Sequence, residues 1–182
     1  MPDFSGGAWP PWPGHDKSQA LKVLDGPPVS GAQLLDRAEN IARQLHGAGI
    51  RRGHVVATLL PGSLEMTACL LGVPAVAALA PLNPSLTDAE VQASLDELGA
   101  SVLITPQGIQ KLPPQPEDPS LEDIALILFT SATTGKPKQV PLSCSNLEAM
   151  MQKTAGGLAL GPADRLLSFM PLFHLQGILA IL

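Results

Sequence analysis

Four hydroxyl side chains, Thr130, Ser131, Thr133 and Thr134, stand within five residues, and Gly135, Lys136 and Lys138 follow them directly. Between Ile124 and Leu147 the two lysines are the only charged side chains. A loop of this kind can wrap a polyphosphate: hydroxyls and backbone N–H groups donate, and ammonium groups neutralise. The spacing excludes the familiar P-loop, which needs Gly, four residues, then Gly-Lys-Ser/Thr. Here Pro137 follows Gly135-Lys136, and Thr130 stands where the first glycine would be. A Ser/Thr-rich surface turn has the same composition, so composition alone leaves both readings open.

The loop needs an element to hold it. Ile124–Phe129 is a strongly apolar run that reads as a buried strand, and Thr130–Pro137 reads as the loop leaving it. Upstream, Ser30 with Gln33 predicts a capped helix, with Leu34, Ala38, Ile41, Ala42 and Leu45 on one face and Gly47 and Gly49 at its end. His54–Leu60, Val76–Ala80 and Ser101–Thr105 read as strands. Helices capped by Ser63 and by Thr87 with Glu90 lie between them. Short continuous apolar strands alternating with helices predict an α/β fold, a mostly parallel sheet flanked by helices. In such sheets ligands gather outside the carboxyl ends of the strands, where the Thr130 loop would sit. Downstream, Gln139–Leu142 reads as short and extended, Ser145 with Glu148 as the cap of a helix to about Ala155, Leu166–Phe169 as a strand, and Pro171–Gly177 as a loop.

Residues 1–29, with Pro10, Pro11, Pro13, Pro27 and Pro28, read as an extended N-terminal arm, and 106–123 as a polar, proline-rich linker. Residues 30–182 form the domain. Its last six residues, Gly177–Leu182, are apolar, which raises the expectation of a fold truncated at its C-terminus.

The 182 residues are 45% hydrophobic and only 15% charged, which excludes wholesale disorder. With 17 glycines and 19 prolines, about a fifth of the chain is turn-forming, well above ordinary usage. A net charge of −5 does not favour nucleic acid as a partner. Two cysteines, Cys69 and Cys144, offer neither a disulfide framework nor metal-ligand spacing, and suggest a reducing, cytoplasmic setting. The stretch 66–87 is uncharged, but Pro74, Pro81 and Pro84 interrupt it, so a buried helix and strand are expected there and not a membrane span. The first fourteen residues lack the basic start of a secretory signal.

Thr130-Ser131-x-Thr133-Thr134-Gly135-x-Pro137-Lys138-x-Val140 resembles the phosphate-binding loop of the adenylate-forming (AMP-binding) superfamily, which comprises acyl-CoA synthetases, luciferases and the adenylation domains of peptide synthetases. Ala80-Pro81-Leu82-Asn83-Pro84 resembles an upstream segment of that family, and Pro171-Leu172-Phe173-His174-Leu175-Gln176-Gly177 a downstream one. The resemblance runs from about residue 30 to residue 182 and is nearest to acyl-CoA synthetases. The chain has no tyrosine, and Phe173-His174 stands where amino-acid-activating domains usually carry Phe-Asp.

The resemblance implies the N-terminal part of a ligase that joins a carboxylic acid to ATP, releasing pyrophosphate, and then passes the acyl group to a thiol such as CoA or phosphopantetheine. It implies that Thr130, Ser131, Ala132, Thr133, Thr134 and Gly135 contact the phosphates, with Lys138 adding charge there. It places His174 beside the reacting carboxylate, and Phe173 and Gly177 in the acyl pocket wall. A solvated lysine and a structural histidine are the plain alternatives for Lys138 and His174. ATP and Mg2+ are the implied cofactors, and no residue of this chain is assigned to the metal. Two positions depart from the pattern: Ala132 and Gln139 stand where the family usually has glycine. The family's magnesium-binding Glu, ribose-binding Asp and C-terminal catalytic Lys have no counterpart in these residues, so the chain alone is not expected to form an adenylate. The alternatives are a non-catalytic nucleotide-binding remnant, or one chain of a split enzyme completed by a second chain.

Overall fold

The computed structural model describes residues 19–23, 26–130, 137–161 and 163–182. Local capping signals start the helices where the sequence places them. In α1 (Gly31–Gly47) the Ser30 N–H donates to Gln33 Oε1 at 2.9 Å and the Gln33 N–H to Ser30 Oγ at 3.2 Å, a closed capping box. Leu34, Ala38, Ala42 and Leu45 form its buried face. At its far end the Arg51 guanidinium donates to the carbonyls of His46 and Ile50, both at 2.7 Å. In α2 (Leu64–Gly72) Ser63 Oγ accepts from the Met66 N–H. A Cβ at Gly72 would run into the Ala38 carbonyl, so this glycine is what lets α2 lie against α1. In α3 (Asp88–Leu98) Thr87 and Glu90 close a second box, Leu86 and Val91 pack in one cluster, and Gly99 ends the helix at φ +57°.

Before α1, strands β1 (Gln19–Lys22) and β2 (Pro28–Ser30) pair antiparallel. The end of the proline-rich arm therefore carries a short ladder that its composition does not announce. The main sheet has six strands: β3 (Val55–Thr58), β4 (Ala78–Pro81), β5 (Ala100–Thr105), β6 (Gly108–Lys111), β7 (Ile124–Thr130) and β8 (Lys138–Ser143). Their spatial order is β6-β5-β3-β4-β7-β8. The four central strands are parallel and the two outer strands antiparallel. Alternation sorts the side chains between two faces. Val56, Leu79, Val102, Leu126 and Leu128 face α1, α2, α4 (Cys144–Gly157) and α5 (Leu175–Leu179). Val55, Ala57, Ala78, Ala80, Leu103 and Ile127 face α3. Both faces are covered, which is why these strands read as continuous apolar runs.

Several expectations change. The polar segment 106–123 is not wholly extended linker: Gly108, at φ +127°, turns the chain back so that β6 pairs with β5. All four residues of β6 are exposed, so backbone hydrogen bonds form it and no apolar period marks it. The cap of α4 is Ser143 with Asn146, not Ser145 with Glu148. Pairing with β7 runs through Ser143 and leaves that residue extended at the helix start, where Asn146 closes the box. Leu166–Phe169 is not a strand, because no described strand pairs with it, and Leu167 and Phe169 are 88% and 84% exposed. The expected loop Pro171–Gly177 runs into α5 at Leu175. Segment 66–87 is α2, a 3-10 turn and β4, and among the described residues no helix is long and apolar enough to cross a membrane.

Candidate functional site

The hairpin of β7 and β8 is the frame of the site. β7 is buried from Ala125 to Leu128 and emerges fully at its carboxyl end, where Phe129 is half-buried and Thr130 exposed. Thr130 stands opposite Lys138, the first residue of β8, and Phe129 opposite Gln139. The Thr130 hydroxyl donates to the Lys138 carbonyl at 3.4 Å, a long bond across the mouth of the hairpin. Ser131, Ala132, Thr133, Thr134 and Gly135, the rest of the sequence-derived phosphate loop, lie outside the described residues, as does Lys136.

The pleat separates neighbours in β8. Leu142 belongs to the cluster shared with α4 and α5, so Val140 and Lys138 point to that face, and Gln139 points to the α3 face beside Phe129. Lys138 is exposed, and among the described residues no carboxylate lies within ion-pair distance of it. Its charge is therefore available to an anion.

The second group is a tight turn. His174 is the N-cap residue of α5, exposed, with no capping bond from its ring. Its N–H donates to the Pro171 carbonyl and its own carbonyl accepts from the Ile178 N–H, both at 3.1 Å. The half-buried Phe173 ring lies 4.4 Å from the His174 ring, tilted by 50°. Gly177 is buried, and a Cβ there would run into the Pro171 carbonyl and sit 2.8 Å from that of Met170. Gly177 thus packs backbone on backbone and fixes the turn that carries Phe173 and His174. Leu172, Leu175 and Ile178 seat this turn in the same cluster as Leu128 and Leu142. The structure therefore places the turn and the Thr130–Lys138 pair on one face of the sheet, with no hydrogen bond joining them among the described residues.

The Ala80–Pro84 segment has a local role. The Leu82 N–H donates to the Thr58 carbonyl at 2.8 Å, and Asn83 Oδ1 accepts from the Ser85 N–H at 2.9 Å, turning the chain into α3. Hydrogen bonds from the Thr87 backbone N–H and then its hydroxyl hold the Glu90 carboxyl below its ordinary value. Burial pushes the Cys69 thiol up to about 12 and also raises that of Cys144, which disfavours the thiolate at both. Two surface hollows are lined by neither Thr130 nor Lys138. One, of about 190 Å³, is lined by Arg37 and Glu65 between α1 and α2, and one, of about 360 Å³, by Arg51, Arg52 and Asp118.

One residue took on a role that its spacing did not suggest. Gln139 Nε2 donates to the Glu97 carbonyl at 3.0 Å, joining β8 to the last turn of α3. The two are 42 residues apart, and no local pattern points from one to the other.

Comparison with known proteins bears on the same segments. The family model described as AMP-binding enzyme matches residues 15–115 and 106–182. A 2-succinylbenzoate–CoA ligase of Bacillus cereus is 30% identical over 168 residues, covering 82% of this chain and 35% of that protein. The O-succinylbenzoate coenzyme A synthetase of Bacillus subtilis, solved with AMP, is 27% identical with a TM-score of 0.69, covering 85% of this chain and 37% of that one. ATP-bound MatB of Rhodopseudomonas palustris shares the fold, with a TM-score of 0.76 at 22% identity over 91% of this chain and 39% of that one. The chain thus spans little more than a third of the length of these proteins. The match covers the apolar strand, the hairpin and the His174 turn alike, and its extent leaves one assignment: the chain belongs to the AMP-binding enzyme family and corresponds to the N-terminal portion of the adenylate-forming superfamily.

Proposed function

We propose that this chain supplies the triphosphate grip and part of the acyl-pocket wall of a ligase that activates a carboxylic acid with ATP. In that reaction a carboxylate oxygen attacks the α-phosphorus, the bond to the β-phosphate bridging oxygen breaks, and pyrophosphate leaves with the electron pair. A thiol such as that of CoA then attacks the acyl carbon, loses its proton and releases AMP. The observation that carries the reading is the pairing of Thr130 with Lys138 at the carboxyl end of β7, with the lysine free of any carboxylate among the described residues. An anion must meet a polyanion, so a fixed cation and hydroxyl donors at the β- and γ-phosphates lower the barrier and stabilise the leaving group. Ser131, Ala132, Thr133, Thr134 and Gly135 would complete the grip. His174 and Phe173 would face the acid, and the likeness to the 2-succinylbenzoate–CoA ligase favours an acyl- or aryl-CoA branch over amino-acid activation.

Among the described residues no three His, Cys, Asp or Glu side chains gather where they could hold a metal. The charge compensation proposed for this chain's own residues is that of Lys138 and the loop donors. Titration calorimetry with ATP and with pyrophosphate tests the reading. Saturable binding that a Thr130→Ala/Lys138→Ala double variant abolishes is the expected result. A chain that binds neither ligand at low ionic strength does not carry the grip.

A further inference from the structure

The Gln139–Glu97 bond lies one residue from Lys138 and ties the hairpin to a different layer of the fold. Glu97 sits in the last turn of α3, where carbonyls lack intrahelical partners. The Gly99 N–H serves the carbonyls of Asp96 and Leu95, and the Gln139 amide serves that of Glu97 at 3.0 Å. Gln139 also stands opposite Phe129, whose ring packs against the α3 cluster. On the other face the Thr130 hydroxyl reaches the Lys138 carbonyl. Among the described residues β8 has no further strand outside it, and Pro141 in its middle has no N–H to donate. An edge strand of this kind is held by its one ladder and by whatever its side chains grip.

We infer that Gln139 is a positioning residue for polyphosphate binding: its amide anchors the start of β8 to α3 and so fixes where Lys138 stands relative to Thr130. The inference rests on the phosphate-grip reading above and extends it to a residue that touches no phosphate. A glycine at this position has no side-chain amide with which to make the bond.

The test is Gln139→Met, which keeps the length of the side chain and removes its donor. Pyrophosphate affinity is read by calorimetry and backbone amide exchange by mass spectrometry. Gln33→Met is the control, since it removes one side-chain bond at the start of α1, far from the hairpin in sequence. The expected result is pyrophosphate affinity about three- to tenfold weaker in Gln139→Met, the worth of one hydrogen bond. Amides of residues 127–130 and 138–140 should exchange faster. Gln33→Met should lower the unfolding midpoint and leave pyrophosphate affinity unchanged. Unchanged affinity in Gln139→Met, unchanged hairpin exchange, or an equal loss in Gln33→Met each overturns the tether. A wild-type chain that binds no pyrophosphate while Gln139→Met still speeds exchange overturns the phosphate reading, and the tether's purpose with it.

Discussion

Gly177 and the Pro171 carbonyl touch so closely that no Cβ fits between them. The contact closes the turn on which Phe173 and His174 stand, and Ile178 beside it is fully buried. Gly177→Ala must push the 170–171 backbone or α5 outward, and neither is the yielding tip of a long side chain. The variant should lose about 1–3 kcal/mol of stability, the usual cost of overpacking. His174→Ala, at an exposed ring without side-chain hydrogen bonds among the described residues, should stay within about 0.5 kcal/mol of wild type. Urea midpoints of the two variants check this, and equal midpoints would contradict the backbone role given to Gly177.

Lys138 stands opposite Thr130 in the ladder, while Lys136, two residues before it, lies outside the described residues. A lysine that meets a phosphate oxygen makes a charge-assisted hydrogen bond, so Lys138→Ala should weaken ATP and pyrophosphate binding by about tenfold or more, and AMP binding much less. The difference should shrink at high salt, because the site is open to solvent. Lys136→Ala should change little. Calorimetry at two ionic strengths checks both. Equal losses for the two lysines would mean that general positive charge, and not the position of Lys138, matters.

The capping box of α3 carries a pH dependence. Thr87 holds the Glu90 carboxyl below its ordinary 4.5, so the folded state favours the ionised form. The resulting stability is present above that ordinary value and is lost as pH falls through the lower folded value. Glu90→Gln removes this titration while keeping an acceptor for the Thr87 N–H. The stability gap between wild type and variant should be open at pH 7 and should narrow at a pH below the carboxyl's ordinary value. Urea unfolding at the two pH values measures the gap. A gap that widens on acidification would reverse the sign of the argument.

The legibility of this chain follows from how far each signal reaches. Ser30 with Gln33 and Thr87 with Glu90 are local, so their helices begin where the letters say. β3 and β4 are buried on both faces and show as unbroken apolar runs. β6 is exposed at every position and exists because of a turn and a ladder, neither of which leaves a hydrophobic trace. Ser145 with Glu148 has the spacing of a cap for α4, but the end of β8 decides the matter in favour of Ser143. At the site, the motif points to Thr130 and Lys138. The opposite facing of Lys138 and Gln139 depends on register, and the bond to Glu97 on tertiary packing.

Ala132 is the remaining departure, and it lies outside the described residues. Size and backbone freedom decide what an alanine does there. Where donors are backbone N–H groups, a methyl group can only hold a phosphate away or bar a left-handed backbone, whereas glycine does neither. Against this, glycine gives the unbound loop more conformations to lose, an effect of about 0.4–1 kcal/mol. If close approach governs this position, Ala132→Gly binds ATP as tightly as the natural chain or more tightly, and the entropy term is outweighed. Calorimetric titration of the two proteins in parallel decides between the terms. A several-fold loss of ATP affinity in Ala132→Gly would show that the alanine restrains the loop and that its methyl group meets no phosphate.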